Sequence, residues 1–278
     1  MSRTRLVAIV GLTLLAFASN SLLARAAIER HGTDPATFTL VRVASGAAML
    51  AALVWARGHG ARGGSWAGAL ALFAYAIAFS AAYVRIQAGM GALLLFGAVQ
   101  VTMIGWGLAQ GERPAGWQWA GLAVALGGLV LLTRPGASAP EPIGAAAMLV
   151  AGVAWGIYSL LGRAVRAPLA ATADNFVRAV LPALAVLGLQ RAVAGGLDLS
   201  ATGLLLAGIS GAAASGLGYT LWYAVLPHLA RVQAAVVQLA VPVVAAAGAV
   251  LLLDEPVTAR LVLSSAAILG GVAFAVTR

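Results

Sequence analysis

The chain has 278 residues, 62% of them hydrophobic and 9% charged, with a mean hydropathy of +0.97; this excludes a soluble globular domain and marks a membrane protein. The formal charge of +9 does not mark a nucleic-acid binder, because all seventeen basic residues are arginines scattered singly at the ends of apolar runs, where side chains snorkel to a membrane surface. Cysteine is absent, which excludes disulfides and thiolate metal sites, and neither metal nor cofactor is expected.

A helix needs about 20 mostly apolar residues to cross the hydrocarbon core. Ten segments qualify: 6–26, 37–56, 66–84, 88–109, 116–133, 143–163, 173–193, 201–226, 232–253 and 260–276. They are predicted as helices, because backbone in lipid must satisfy its own hydrogen bonds and the runs exceed the roughly ten-residue alternating strands of barrels. The all-α expectation is ten spans without a soluble domain, the short breaks between them carrying the arginines, prolines and acids.

Span 1 follows Arg3 and Arg5 and so imitates a secretory signal, but it has a sequence partner at 143–163 and is expected to stay in the mature chain. It carries Asn20 and Ser21 at depth. Span 2 holds Arg42, whose simplest reading is snorkelling and whose sharper reading is a substrate carboxylate partner. On span 3, Tyr75, Phe79 and Tyr83 recur every four residues and form one stripe; Tyr83 also reads as an interfacial anchor. Span 4 adds Gln100, and Ala123 with Gly127 on span 5 is a small-residue pair suited to close packing, as is Ala267 with Gly271 on span 10.

Span 6 carries Trp155, Tyr158 and Ser159. On span 7, Arg178 can pair with Asp174 four residues earlier. Span 8 has Tyr219, Trp222 and Tyr223, the last of which also reads as an interfacial anchor, and span 9 has Gln238 followed by Pro242, a proline able to loosen its helix and act as a hinge. Buried hydroxyl, amide and indole groups are costly in hydrocarbon unless paired, and a shared wet cavity would satisfy many of them. Asn20, Ser21, Tyr75, Phe79, Tyr83, Gln100, Trp155, Tyr158, Ser159, Tyr219, Trp222, Tyr223 and Gln238 are therefore the candidate substrate-binding residues. All acids lie in loops or at span ends, so no midplane carboxylate offers a cation or proton site; Glu112 and Glu255 read as caps of spans 5 and 10.

Gly208-Ile209-Ser210-Gly211 resembles the serine motif of intramembrane rhomboid proteases. The nearest base, His228, is 18 residues further along, about 27 Å away on a helix, so an enzyme is not expected.

Two distant stretches match: Phe17-Ala18-Ser19-Asn20-Ser21-Leu22-Leu23-Ala24-Arg25 reads against Trp155-Gly156-Ile157-Tyr158-Ser159-Leu160-Leu161-Gly162-Arg163. Val41-Arg42 recurs as Val177-Arg178, and Glu112 followed by Gly127-Gly128 recurs as Glu255 followed by Gly270-Gly271. Residues 1–135 and 140–278 thus read as two copies of a five-span unit, the second inserted upside down. Inverted repeats place a transporter's substrate between the halves. Nine arginines against six favour an orientation with both ends cytoplasmic.

Ala235 to Val276, with Pro242, Leu253-Asp254-Glu255-Pro256-Val257-Thr258 and Gly270-Gly271-Val272, resembles the end of the EamA-type repeat of the drug/metabolite transporter superfamily. Gly111-Glu112-Arg113-Pro114, Trp119 and Gly127-Gly128 resemble the same ending in the first half. The resemblance implies two inverted five-helix units around a central cavity lined mainly by helices 1, 3, 4, 6, 8 and 9, in a bacterial inner membrane. The aromatic richness is most similar to the amino-acid exporter branch, which implies small amphipathic substrates. Other metabolites or drugs, and lipid scrambling, are the alternatives.

Overall fold

The structure, a computed structural model, describes residues 1–58, 60, 62–111, 115–134, 136, 139–162, 165–194, 199–225, 228–229, 238 and 240–277. His59, Glu112, Arg113, Pro114, Arg163, Asp198 and Arg231 therefore lie outside the described residues, as does most of the first third of predicted span 9.

The described chain is helical throughout. α1 runs Arg3–Arg25 and continues as a wide turn over Ala26–Arg30; then follow α2 (Pro35–Trp55), α3 (Trp66–Ala82), α4 (Ala88–Ala109), α5 (Gly116–Thr133), α6 (Pro142–Gly162) and α7 (Pro168–Ala194). α8 spans Ala201–Val225 with a wide-turn section over Ser210–Leu217, α9 is Ala240–Leu253 and α10 is Ala259–Thr277. Local chemistry sets several starts. Ser2, Asp34, Ser65 and Ser200 each turn a side-chain oxygen to a backbone N–H of the first turn of α1, α2, α3 and α8. Proline opens α2, α6 and α7, where its missing N–H costs nothing.

Seven of these helices are long and apolar enough to cross a membrane, and Trp66–Ala82, Ala240–Leu253 and Ala259–Ala275 are shorter apolar helices. The ten predicted spans thus appear as ten helices among the described residues, and α3 falls short of its predicted length. At 17 residues α3 reaches about 26 Å, slightly under the hydrocarbon thickness. Two boundaries move outward: span 1, predicted to end at 26, runs to Arg30 through the wide turn, and span 7, predicted from 173, begins at Pro168.

α2 packs on α7 and α8, α3 on α6 and α7, α4 on α6 and α9, α1 on α8 and α9, and α5 on α10. The last contact follows from small residues: on α10 the predicted Ala267 and Gly271 take part, whereas on α5 the register differs from the predicted one. A side chain at Gly121, Gly128 or Gly271 would strike the opposite helix, Gly121 and Gly271 meeting each other's backbone carbonyl. The Gly121–Ala125–Gly128 face of α5 is thus the packing face, while Ala123 and Gly127 are exposed on the other side. The helix pitch explains the correction, since residues four apart share a face and Ala123–Gly127 is rotated away from this one.

Candidate functional site

Aromatic rings from three helices form a continuous column through the bundle. Tyr83 packs edge-on to Phe79 with centroids 4.8 Å apart, Phe79 lies 5.4 Å from Tyr75, and Tyr75 lies 4.8 Å from Trp155. Trp155 then contacts Tyr158 at 5.3 Å and stacks with Tyr219 at 5.7 Å, and Tyr219 stacks with Tyr223 at 6.4 Å. α3 supplies the first three rings because the four-residue spacing keeps them on one face; α6 and α8 supply the rest. Tilted and offset pairs at these separations are the favourable arrangements for ring quadrupoles.

Seven of the predicted residues are therefore brought together, but they do not line an open cavity. Tyr83 is 0% exposed and Phe79 1%, and Tyr75, Tyr158 and Tyr219 are also buried, so the rings fill the space themselves. Among the described residues the rings thus pack on one another where the cavity was expected. Tyr83 is corrected: its burial excludes interfacial anchoring. At the other end, the Tyr158 hydroxyl donates to Thr172 at 3.3 Å and Thr172 shares a 3.0 Å bond with the Tyr223 hydroxyl.

Asn20 and Ser21 sit on α1 against this column. The Asn20 side-chain carbonyl accepts from Ser210 at 2.7 Å and from Ser215 at 3.4 Å, both inside the wide-turn section of α8. Ser210 is thereby committed to an amide, not a base. Widened helical turns leave the ladder irregular and are frequent at functional sites, and here two buried serines anchor the irregular section to Asn20. Ser21 stands near the Tyr83 hydroxyl, which donates to the Ala88 carbonyl at 3.4 Å.

The remaining predicted residues stand apart. Ser159 donates to the Trp155 carbonyl of its own helix at 2.7 Å. Trp222 packs with Val225 against Leu6, Ile9, Val10 and Phe17, away from Trp155, because it lies on the α1 side of α8. Gln100 and Gln238 are half-buried. Pro242 is buried three residues into α9, and the chain it would bend lies largely outside the described residues.

Sequence reasoning missed two contributors. Phe17 touches Tyr219 at 5.6 Å, and Phe176 of α7 touches it at 6.0 Å. Phe17 had a signal, since it stands opposite Trp155 in the repeated stretch; Phe176 had none. Arg42, for which the sequence offers snorkelling as the simplest reading, does not snorkel. It is 3% exposed, its Nη2 donates to the Tyr75 hydroxyl at 2.9 Å, and its guanidinium lies 5.2 and 4.8 Å from the Tyr75 and Phe79 rings. Arg178 behaves as predicted: it pairs with Asp174 at 2.9 Å, and it lies 5.5 Å from the Trp66 ring.

Beside Tyr83 the column meets a polar cluster. Glu255 accepts from the backbone N–H of Ala88 at 2.7 Å and of Gly89 at 3.3 Å, so it caps α4 rather than the predicted α10. Asp254, at φ 54°, is the reason: this left-handed residue ends α9 and turns Glu255 back toward α4. Arg25 lies 3.8 Å from Glu255 and donates to the Tyr83 carbonyl at 2.7 Å, while Arg30 pairs with Asp254 at 3.0 Å. α1, α4 and the α9–α10 turn are thus tied together across the two sequence halves. In the opposite direction Asp174 accepts from Gly64 N–H and Asn175 from Ser65 N–H, tying α7 to the start of α3.

Residues 142–277 match the EamA-like transporter family. A protein of Pseudomonas aeruginosa, Uncharacterized protein PA1977, is 52% identical over 276 residues, covering 98% of this chain and 95% of its own. The second half of the chain is an EamA-like transporter family domain. One solved structure, described as "Crystal structure of protein", superposes with a TM-score of 0.67 over 99% of this chain and 98% of its own at 20% identity, which shows a shared fold. With this domain and these apolar helices, the chain is a multi-pass membrane protein.

Proposed function

We propose that this EamA-like protein is a secondary transporter that exports small amphipathic metabolites, neutral or aromatic amino acids foremost, across a bacterial inner membrane with both ends in the cytoplasm. The observation that carries the reading is the aromatic column. Stacked rings from α3, α6 and α8 offer faces for an apolar substrate portion, and Asn20, Tyr75 and Tyr219 offer polar groups beside them. With rings filling the centre, a substrate enters only when the helices part, which is the requirement of alternating access.

Two inverted units account for the helix pairings. Exchanging α1–α5 for α6–α10 turns the α1–α9 contact into α6–α4, α1–α8 into α6–α3, and α2–α8 into α7–α3, and leaves α2–α7, α4–α9 and α5–α10 unchanged. Each of these pairs is in contact. The halves 1–135 and 140–278 would rock about the column, with Pro242 as a hinge on α9. Lysine is absent, which removes a P-loop and favours movement driven by gradients over ATP.

The reading is tested by counterflow of labelled phenylalanine, tryptophan and leucine into liposomes carrying the purified protein. Saturable uptake that Trp155→Ala lowers about tenfold or more is the expected result, because the indole joins Tyr75, Tyr158 and Tyr219 and its loss removes a stacking surface worth about 0.5–1.5 kcal/mol per ring pair. Uptake unchanged by the substitution would move the site away from the column. Labelled phospholipid crossing in the same liposomes, without amino-acid uptake, would favour lipid scrambling.

A further inference from the structure

Arg42 and Arg178 stand at matching places in the two halves of the sequence, but only Arg178 keeps an anion. Asp174 lies four residues before Arg178 and pairs with it in a half-exposed setting. Four residues before Arg42 stands Phe38, fully buried. Among the described residues no carboxylate lies within salt-bridge distance of Arg42, and its buried Nη1 has no hydrogen-bond partner there. The ring contacts to Tyr75 and Phe79 return only part of what it costs to bury an uncompensated guanidinium.

The surroundings suit one kind of ligand. The Tyr75 oxygen accepts from Arg42 Nη2, which leaves the Tyr75 proton free to donate. Nη1–H and Tyr75 O–H are thus two donors side by side, the pairing a carboxylate takes in bidentate fashion. Trp155 lies 4.8 Å beyond Tyr75, with Tyr219 stacked on it, so a molecule held at its carboxylate would lay its body on those rings. An ammonium on that molecule would meet aromatic faces rather than an acid.

We infer that Arg42, with Tyr75, binds the carboxylate of the transported molecule, so that the protein selects carboxylate-bearing substrates with an apolar or aromatic body and rejects the matching amines. The inference rests on the transport reading above and adds the substrate class. It differs from simple helix pairing because it requires the charge to be answered by cargo.

The test is counterflow in liposomes of three labelled probes that share one ring and one chain: phenylalanine, 3-phenylpropionate and phenethylamine. Wild-type protein is expected to take up phenylalanine and to exclude phenethylamine by about tenfold or more, the discrimination a charge-assisted clamp provides. Uptake of 3-phenylpropionate as well would mean that the carboxylate suffices; its exclusion beside phenylalanine uptake would mean that the clamp holds a zwitterion, and either supports the inference. Arg42→Gln is expected to lower carboxylate uptake about tenfold and to erase the preference over the amine, with Arg42→Lys recovering part of it. If Arg42→Gln does not fold, as judged by tryptophan emission and thermal unfolding, the wild-type panel still decides. Wild-type uptake of phenethylamine as fast as phenylalanine overturns the inference and leaves the transport reading standing. Uptake of none of the three overturns both.

Discussion

Glu255→Ala is expected to destabilise the protein by about 2–4 kcal/mol, read as a fall in the thermal unfolding temperature in detergent. The carboxylate accepts two backbone N–H bonds at the start of α4 and lies 3.8 Å from Arg25. Alanine leaves the Ala88 and Gly89 donors without their acceptor and Arg25 without its nearest buried anion, and charge-assisted caps of this kind carry about 1–3 kcal/mol each. Glu255→Gln keeps one oxygen acceptor and is expected to cost about half as much. An alanine variant as stable as wild type would show that the turn after α9 does not hold α4, and the tie between sequence halves would have to lie elsewhere.

The second large effect belongs to Asn20. Asn20→Leu removes the acceptor of two buried serines, Ser210 at 0% and Ser215 at 1% exposure, in the irregular section of α8. Hydrogen bonds between membrane helices average about 0.6 kcal/mol and reach about 1.7, because the unfolded helices find other partners. Two such bonds give an expected loss of about 1–3 kcal/mol. The double variant Asn20→Leu with Ser210→Ala is expected to cost less than the sum of the two single changes, since the serine left alone is itself the penalty. Strict additivity would mean that the 2.7 Å contact carries no energy.

Ten apolar runs were legible because a membrane imposes one secondary structure and one minimum length. Exact ends were not. The extension of α1 to Arg30 depends on wide turns that apolar runs do not encode, and α3 ends at Ala82 with Tyr83 as its cap, where hydropathy alone carried the span to residue 84. Four-residue spacing correctly gathered Tyr75, Phe79 and Tyr83, since helical phase needs no partner to be known. It could not say whether those rings face a cavity or each other, which depends on how closely α3 and α6 approach. The same helical spacing groups Trp222 with Tyr219 and Tyr223, but Trp222 points to α1. Arg42 was judged by its depth in one span, whereas its meaning comes from Tyr75 and Phe79 on another helix. Glu255 was rightly read as a helix cap and assigned to the wrong helix, because the left-handed Asp254 reverses the chain.

The most direct measurement exploits the absence of cysteine from the chain. Ser21→Cys places a small thiol at a buried position on α1, near Tyr83 at one end of the aromatic column. Labelling by a membrane-impermeant maleimide is then compared in intact cells and in inverted vesicles, with and without phenylalanine. Alternating access through the aromatic column requires the thiol to be labelled from both sides and the substrate to shift the ratio between them. Labelling confined to one side under all conditions, or absent from both, would contradict a site that opens to each side in turn.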